Sequence, residues 1–334
     1  MKTIIGTWST AAALSLFAFG AGPAIAQDVP EAYQDNTLRI MTSNSPGGGF
    51  DFYMRTVGKY LESLYGMDVA EQNVDGAGGT LGDNMLYMSD ADGLTIGLIN
   101  FPGHVFNQMQ GHPGVQYDVA QWEWIGRVAG VPPALAVSAD SPILTMADAI
   151  SRTEPVRFGL EGRGSDAYYG TVFLKNLLGM PVQQIVGYDG PGEIAAAMIA
   201  GEIDARFESM DTLLPEMENG NVRILAIFDT QPDPRAPDVP TLGQLGLDDE
   251  IVAQLEAFAN IYKLERSFVA PPNTPDENVA FLRDALAGVF ANPDFQKELE
   301  DAGRALQPMD GATLQVEAEK VGAQVEDLAP LFAE

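Results

Sequence analysis

Residues 38–65 read LRIMTSNSPGGGFDFYMRTVGKYLESLY and set out a strand, a glycine-rich turn and a helix. The first five residues form a short apolar run typical of a buried strand, and residues 45–49 (SPGGG) form the turn. A helix is predicted from about residue 50 to residue 65, because apolar residues recur there at spacings of three and four: Met54, Val57, Leu61 and Leu64. This order is the building unit of an α/β sheet.

The same unit recurs along the chain. Apolar runs at residues 94–100, 156–160, 185–188, 205–209 and 222–228 alternate with helical patterns. Strands that alternate with helices predict parallel sheets covered by helices on both faces. The 334 residues are enough for about two domains. The sequence therefore predicts an α/β fold with two parallel-sheet domains, a hinge and an interdomain cleft.

The predicted domain organisation is discontinuous. The last helices have no strands of their own to cover, so we expect them to return to the first block. Chain crossings are expected near residues 128–133 and 258–263, and two crossings make a hinge. The expected first lobe comprises residues 27–130 together with 262–334, and the expected second lobe comprises residues 131–261.

Charge and composition narrow the classes of function. The chain has 47 acidic and 18 basic residues, so nucleic acid and anionic membrane surfaces are poor partners. The absence of cysteine excludes disulfides, cysteine-based zinc sites and iron–sulfur clusters. His104 and His112, expected in a loop, offer little material for metal or triad chemistry. The glycines of residues 76–82 have the wrong spacing for a dinucleotide fingerprint, and we expect no cofactor.

The N-terminus predicts a secretory signal sequence. Lys2 precedes an apolar segment at residues 11–20, which is too short to span a bilayer, and residues 24–26 (AIA) form a cleavage site. Cleavage near Ala26/Gln27 removes one basic and no acidic residue, leaving 17 bases against 47 acids, a net charge of −30. No later apolar run approaches the ~18 residues of a membrane span. We therefore expect a freely exported, periplasmic protein with no membrane insertion.

The glycine-rich turns are candidates for anion binding. Such turns follow the carboxyl ends of parallel strands, where open α/β sheets bind their ligands. Glycine lets backbone N–H groups approach a ligand, and the next helix adds unpaired N–H groups at its positive end. Asp51, in the first helical turn, either stabilises the helix dipole or contacts the ligand directly or through water. Arg127 and Arg163 are expected to form surface or inter-lobe pairs in preference to clamping a ligand.

Six blocks of the sequence resemble a known family. The blocks are residues 45–51 (SPGGGFD) followed by Arg55, 73–82 (NVDGAGGTLG), 91–96 (ADGLTI), 188–204 (YDG to GEID), 237–242 (PDVPTL) and 270–275 (APPNTP). They are similar to segments of the tripartite tricarboxylate transporter receptors, the TctC or Bug proteins, in the right order and spacing. The resemblance covers almost the whole mature chain and is far more specific than any one block.

The resemblance implies a two-lobed, periplasmic-binding-protein-like receptor that is not an enzyme. Such a receptor closes on a small carboxylate held by backbone N–H groups and ordered water, then delivers it to the membrane permease subunits of the transporter. The implied ligand-binding residues of the first lobe are Ser45, Gly48, Gly49, Phe50, Asp51, Gly78, Asn100, Phe101 and His104. Those of the second lobe are Gly164, Ser165, Asp166, Tyr188, Ser209 and Asp211. No catalytic residue and no metal site are implied, and a monomer is expected.

Two departures from the family pattern concern the expected cleft. Asp166 begins the segment DAYY, where the family often has a histidine, and Asp189 replaces the usual lysine after Tyr188. Both changes remove positive or neutral polarity from the cleft. The distal part of the ligand is therefore expected to differ from citrate and to carry an amine, a hydroxyl or an aromatic group.

Two other classes of function stay open at this stage. A ligand-sensing subunit of a signalling protein would use the same two lobes and has no sequence feature that separates it from a transport receptor. An exported hydrolase could draw acids and bases from the abundant Asp and Glu. That class is disfavoured, because the sequence carries no G-x-S-x-G elbow, H-E-x-x-H motif or supported S-x-x-K motif.

Overall fold

The computed structural model describes residues 29–332, so the expected signal sequence and its cleavage site lie outside the described residues. The strands are β1 (Thr37–Thr42), β2 (Asp68–Asn73), β3 (Thr95–Ile99), β4 (Glu123–Arg127), β5 (Pro133–Ser138), β6 (Val156–Leu160), β7 (Val182–Val186), β8 (Ala205–Ser209), β9 (Val222–Ile227), β10 (Ser267–Ala270) and β11 (Met309–Asp310). The helices are α1 (Glu31–Gln34), α2 (Gly49–Tyr65), α3 (Thr80–Tyr87), α4 (Phe101–Met109), α5 (Met146–Ile150), α6 (Asp166–Leu178), α7 (Pro191–Ile199), α8 (Met210–Glu218), α9 (Asp249–Tyr262), α10 (Asp276–Ala291), α11 (Pro293–Asp301) and α12 (Gly311–Phe332).

The strands form two sheets, one in each lobe. Sheet 1 has the order β11-β4-β10-β3-β1-β2 and belongs to the first lobe; sheet 2 has the order β7-β6-β8-β5-β9 and belongs to the second. β1 runs parallel to β2 and β3, and β6 runs parallel to β7 and β8. The two-lobed α/β architecture with parallel strands is therefore confirmed.

Both sheets also contain antiparallel pairs that the sequence pattern did not indicate. β10 runs antiparallel to β3 and β4, and β5 runs antiparallel to β8 and β9. β5 and β10 are the strands by which the chain enters sheet 2 and returns to sheet 1. A strand that enters from the other lobe lacks the helical crossover that joins consecutive parallel strands, so either direction is open to it.

Helix α2 folds as its apolar spacing predicts. Its buried face carries Tyr53, Met54, Val57 and Leu61 and packs on β1, β2 and α10. Leu64, the last residue of the predicted stripe, is 43% exposed. Gly66 ends the helix in the left-handed region (φ +66°), and its N–H donates to the carbonyl oxygen of Glu62 at 2.9 Å.

His104 lies in helix α4, so the expectation of a loop was wrong for this residue; His112 follows the helix in a loop. The helix accommodates Pro102 because the proline falls in its first turn, where a missing N–H costs no hydrogen bond. Val105 and Phe106 anchor the helix in the core. The helix spans only nine residues, and its apolar residues are too few to predict a helix from their spacing.

The C-terminal helices contact both lobes. α10 packs on α2 and β4, whereas α12 packs on β4 and also on α6 and α9. Phe258 of α9 stacks on Phe173 (ring centroids 4.2 Å apart) and on Phe106 (5.6 Å), and Phe332 of α12 packs on Phe106 (4.9 Å). This aromatic cluster joins the lobes at one side. Within residues 29–332, no helix has the length and apolar character needed to cross a bilayer.

Candidate ligand-binding site

The candidate site is a cavity between the lobes. Most of the residues that line it lie at or just after the carboxyl ends of β1, β3, β6 and β8, where open α/β sheets bind ligands. Of the residues singled out from the sequence, the structure brings eight together around this cavity: Ser45, Gly48, Gly49, Phe50, Asn100, Ser165, Asp166 and Ser209.

The first wall of the cavity is the N-terminus of α2. Gly48 is the N-cap residue, and the N–H groups of the first helical turn have no partner within the helix. The guanidinium of Arg266 lies directly against this turn, since a Cβ on Gly49 would be 3.1 Å from its Nη2. The backbone at this turn is therefore open to a ligand and carries the partial positive charge of the helix end.

Asp51 lies beneath this turn and outside the cavity lining. Its Oδ2 accepts the N–H of Gly47 at 2.9 Å, and its Oδ1 accepts Nε of Arg55 at 2.9 Å. Gly47 adopts φ +83°, and the carboxylate of Asp51 holds that left-handed turn in place. Of the two roles considered for Asp51, the contacts favour fixing the shape of the glycine turn.

The opposite wall is the N-terminus of α6. Ser165 caps this helix: its Oγ accepts the N–H of Tyr168 at 3.2 Å and donates to the carbonyl oxygen of Gly162 at 2.9 Å. Asp166 follows as the first helical residue and lines the cavity. Two helix N-termini, one from each lobe, thus border the same cavity.

The lobes touch at the rim of the cavity. A Cβ added to Gly78 would lie 2.8 Å from the backbone of Gly164. Nδ2 of Asn107 donates to the carbonyl oxygen of Gly164 at 2.9 Å, and Oγ of Ser45 donates to that of Asp189 at 2.7 Å. These contacts describe a closed arrangement of the two lobes.

A smaller pocket lies beside the cavity and shares Asn100 and Asp166 with it. Gly78 and His104 line this inner pocket. Nδ1 of His104 lies 2.8 Å from the carbonyl oxygen of Asn100, and Nε2 lies 3.0 Å from Oδ1 of the buried Asp83. His104 is 1% exposed, so its ring serves to hold Asn100 and the start of α4 in place.

Besides Asp51, three further singled-out side chains lie away from the cavity lining. Phe101 is buried against Trp124 (ring centroids 5.3 Å apart), and the ring of Tyr188 packs near Gly159. Asp211 is fully buried. It joins the lobes, because its Oδ2 lies 2.8 Å from the hydroxyl of Tyr53 and accepts the N–H of Ala305 at 3.1 Å, and both partners belong to the first lobe.

Sequence reasoning missed Arg266. Its side chain lines the cavity, is 1% exposed and lies over the ring of Phe50, 5.1 Å from the ring centroid. It donates to Oε2 of Glu265 at 2.8 Å and to Oγ of Ser209 at 3.1 Å. Its φ of +52° is rare for a residue with a side chain, and such strain concentrates at functional sites.

The cavity also holds four carboxylates, three of which the sequence analysis had not singled out: Glu161, Glu208 and Glu265. Burial, reinforced by Glu208, Asp166 and Asp75, raises the pKa of Glu161 to about 8. Burial also raises the pKa of Glu265 to about 8, although Arg266 opposes the shift, and that of Asp166 to about 6. Since Glu and Asp are common throughout this acidic chain, composition gave no signal that these particular residues share a cavity.

Comparison with known proteins assigns the family. Residues 54–324 match the model of the tripartite tricarboxylate transporter family receptor, TctC. The chain belongs to this family. Its members are periplasmic solute-binding receptors, and the family and fold are not those of enzymes. The identification made from the six sequence blocks is thereby confirmed.

Relatives and solved structures agree with this assignment. The chain is 28% identical to the protein BugT of Bordetella pertussis, over 67% of this chain and 70% of BugT. It is 26% identical to an Agrobacterium vitis protein from the ttuE–ttuC' intergenic region, over 93% of this chain and 88% of that protein.

Two solved structures share the fold. One is MatC of Rhodopseudomonas palustris with bound malate (TM-score 0.73, 21% identity, 88% of this chain and 98% of that chain). The other is the periplasmic binding protein BugD (TM-score 0.74, 23% identity, 90% and 97%).

Proposed function

We propose that this receptor captures a small carboxylate in the cavity between its lobes and presents it to the permease subunits of a tripartite tricarboxylate transporter. The observation that carries the proposal is the pair of helix N-termini, of α2 and α6, that border one cavity from opposite lobes. Helix N-termini bind anions through unpaired N–H groups and the helix dipole. Solved structures of this fold contain malate in MatC and adipate in another R. palustris protein.

The carboxylate is proposed to bind at the N-terminus of α2. Gly48, Gly49 and Phe50 supply the backbone surface there, and the guanidinium of Arg266 lies against the same turn. An ionised guanidinium strengthens hydrogen bonds to a carboxylate. Ser165 and Ser209 provide polar groups on the second lobe, so a ligand can touch both lobes and favour closure.

We propose the lobe boundaries expected from the sequence, residues 27–130 with 262–334 and residues 131–261. The strands support this division, because β1 to β4, β10 and β11 form one sheet and β5 to β9 form the other. We further propose export with cleavage near Ala26/Gln27, and a periplasmic monomer that binds neither nucleic acid nor the bilayer.

Calorimetric titration of the purified, exported protein with small carboxylates tests this function. The panel comprises mono-, di- and tricarboxylates and amino acids, each paired with the analogue in which a carboxamide replaces the carboxylate. We expect at least one acid to bind and its amide to bind at least roughly tenfold more weakly. The protein is unfolded, dialysed and refolded first, so that a co-purified ligand cannot mask the site. Equal binding of acid and amide, or no binding of any acid, would contradict the proposal.

A further inference from the structure

The cavity has an unusual charge for a site that holds an anion. Its charged lining residues are four acids (Glu161, Asp166, Glu208 and Glu265) and one base (Arg266). Fully ionised, this lining would carry a net charge of −3, since four negative charges face one positive charge. A ligand with a second carboxylate would bring that negative charge close to the four acids of the lining.

Arg266 does not neutralise the whole cluster. Its guanidinium is committed to Glu265, at 2.8 Å, and to the hydroxyl of Ser209. Glu161 has no ion pair or side-chain hydrogen bond to any residue in the part of the chain that the structure describes. The charges that act on it are Glu208, Asp166 and Asp75, all of the same sign. Within residues 29–332, the acids of the second lobe thus form a negative pole in which Arg266 acts on Glu208 but forms no ion pair with it.

Two unsatisfied polar atoms indicate what kind of ligand completes the site. Oδ1 of Asn100, a buried acceptor on a side chain that lines the cavity with Asp166, has no hydrogen-bond partner among the described residues. Nε of Arg266, a donor on a side chain 1% exposed, also has no hydrogen-bond partner within residues 29–332. Buried polar atoms are normally paired, so an acceptor beside the acids and a donor beside the α2 turn point to a ligand with groups of both kinds.

We propose that the ligand is an amino-carboxylate. Its carboxylate binds at the α2 turn beside Arg266, and its ammonium group lies among Glu161, Asp166 and Glu208. This inference rests on the proposed function and names the class of ligand for the same cavity. An ammonium group donates several hydrogen bonds and is surrounded here by acceptors, whereas a second carboxylate would be repelled by the same oxygens. A protonated primary amine fits better than a quaternary one, because the ring of Phe50 is already covered by Arg266.

A matched ligand series separates this inference from the proposed function. The probes share a carbon chain of about four to six atoms and differ at one end: ω-amino acids, dicarboxylates and unsubstituted carboxylates, with α-amino acids of the same length. Titrations at about pH 8, with and without EDTA, should show amino-carboxylates binding at least roughly tenfold more tightly than the matched dicarboxylates. If dicarboxylates bind more tightly, or bind only with a divalent metal ion present, the inference is wrong and the proposed function stands. If no carboxylate of any class binds, both are contradicted.

A substitution tests the negative pole directly. Glu161→Gln removes one ionisable carboxylate without changing the shape of the side chain, and should weaken amino-carboxylate binding roughly tenfold. Dicarboxylate binding should stay the same or tighten, because one repelling charge is gone. Glu218→Gln is the matched control, because Glu218 is exposed at the end of α8 and is not among the lining residues. In a variant whose melting temperature shows that it is folded, equal loss of both ligand classes would mean that Glu161 does not discriminate between an ammonium group and a carboxylate, and would overturn the assignment, as would no change in either.

Discussion

Gly78 of the first lobe lies against Gly164 of the second so closely that neither could carry a side chain. A Cβ on Gly78 would lie 2.8 Å from N, Cα and C of Gly164, and a Cβ on Gly164 would lie 2.9 Å from the carbonyl oxygen of Ala77. Since backbone atoms cannot move aside as a flexible side chain can, a side chain at either position would keep the lobes from approaching this closely. Gly78 therefore allows the two lobes to come into backbone contact, in addition to its role in the glycine-rich turn of residues 76–79.

Gly78→Ala should hold the lobes apart. The added methyl group clashes only in the closed arrangement, so ligand affinity should fall by roughly 10- to 100-fold through the smaller closed population. Titration calorimetry measures the affinity. With ligand present, small-angle scattering should show a larger radius of gyration for Gly78→Ala than for the natural protein.

Gly66→Ala provides the control for backbone strain. Gly66 has the same φ of +66°, but nothing lies within 4 Å of the added Cβ. Both substitutions should cost roughly 1 kcal/mol of stability, but only Gly78→Ala should impair binding. Equal affinities in the two variants would show that the Gly78–Gly164 contact does not limit closure.

Asp211 should matter more for stability than an exposed aspartate with a similar partner. Burial alone would raise its pKa, but Arg266 and Arg235 hold the pKa below its usual value. Asp211→Asn keeps the shape but removes the charge facing these arginines, and should cost about 2–4 kcal/mol in the free energy of unfolding. Urea denaturation measures this cost.

Asp204→Asn is the matched comparison. Asp204 pairs with Arg157 at 2.8 Å, with side chains 25% and 37% exposed. A pair so accessible to water should contribute only about 1 kcal/mol or less. If Asp204→Asn lowered the free energy of unfolding as much as Asp211→Asn, the buried contacts of Asp211 would not be stronger than the exposed Asp204–Arg157 pair.

The unliganded receptor should become less stable as the pH rises through neutrality. The pKa values of Glu161 and Glu265 are raised to about 8 and that of Asp166 to about 6, so in this range the folded chain binds more protons than the unfolded chain. The stability from these protonated acids is fully present below the unfolded pKa values of about 4 and is lost as the pH approaches about 8. The melting temperature should therefore be lower at about pH 8 than at about pH 6.

Glu161→Gln should flatten this dependence. It removes a group that must lose its proton in the folded state, so the variant should gain at least about 1 kcal/mol over the natural protein at about pH 8 and less at about pH 6. Glu218→Gln should leave the slope unchanged. A stability that is flat or rises with pH in this range would contradict the pKa shifts of the cavity acids.

The two-lobed α/β fold and eight of the residues that line the cavity could be predicted from the sequence. Local patterns were sufficient for α2, since its turn, its buried stripe and its terminal glycine all lie within residues 45–66. Gly48, Gly49 and Ser165 could be placed because glycine and serine turns bind ligands through their own backbone. The antiparallel strands β5 and β10 could not be predicted, because their direction depends on how the chain crosses between lobes.

The side chains missed at the site share a different cause. Arg266 and Glu161 are separated by about a hundred residues and meet only after both lobes have folded and closed. In a chain with 47 acids, no local signal distinguishes a buried carboxylate from a solvated one. Of the two departures from the family pattern, Asp166 lines the cavity, whereas Asp189 is not among the lining residues.

Binding of an amino-carboxylate should release protons. In the empty cavity Glu161 faces Glu208, Asp166 and Asp75, and its pKa is raised to about 8, so it is largely protonated at neutral pH. An ammonium group among these acids favours their ionised forms and lowers their pKa values, and the protons leave for the buffer. Affinity should therefore fall as the pH is lowered from about 8 to about 6.

Titrations in phosphate and in Tris, which differ in ionisation enthalpy, measure the protons released. Glu161→Gln should release fewer protons and Glu218→Gln as many as the natural protein. Proton uptake with tighter binding at low pH would instead mean that protonated Glu161 donates to a second carboxylate of the ligand.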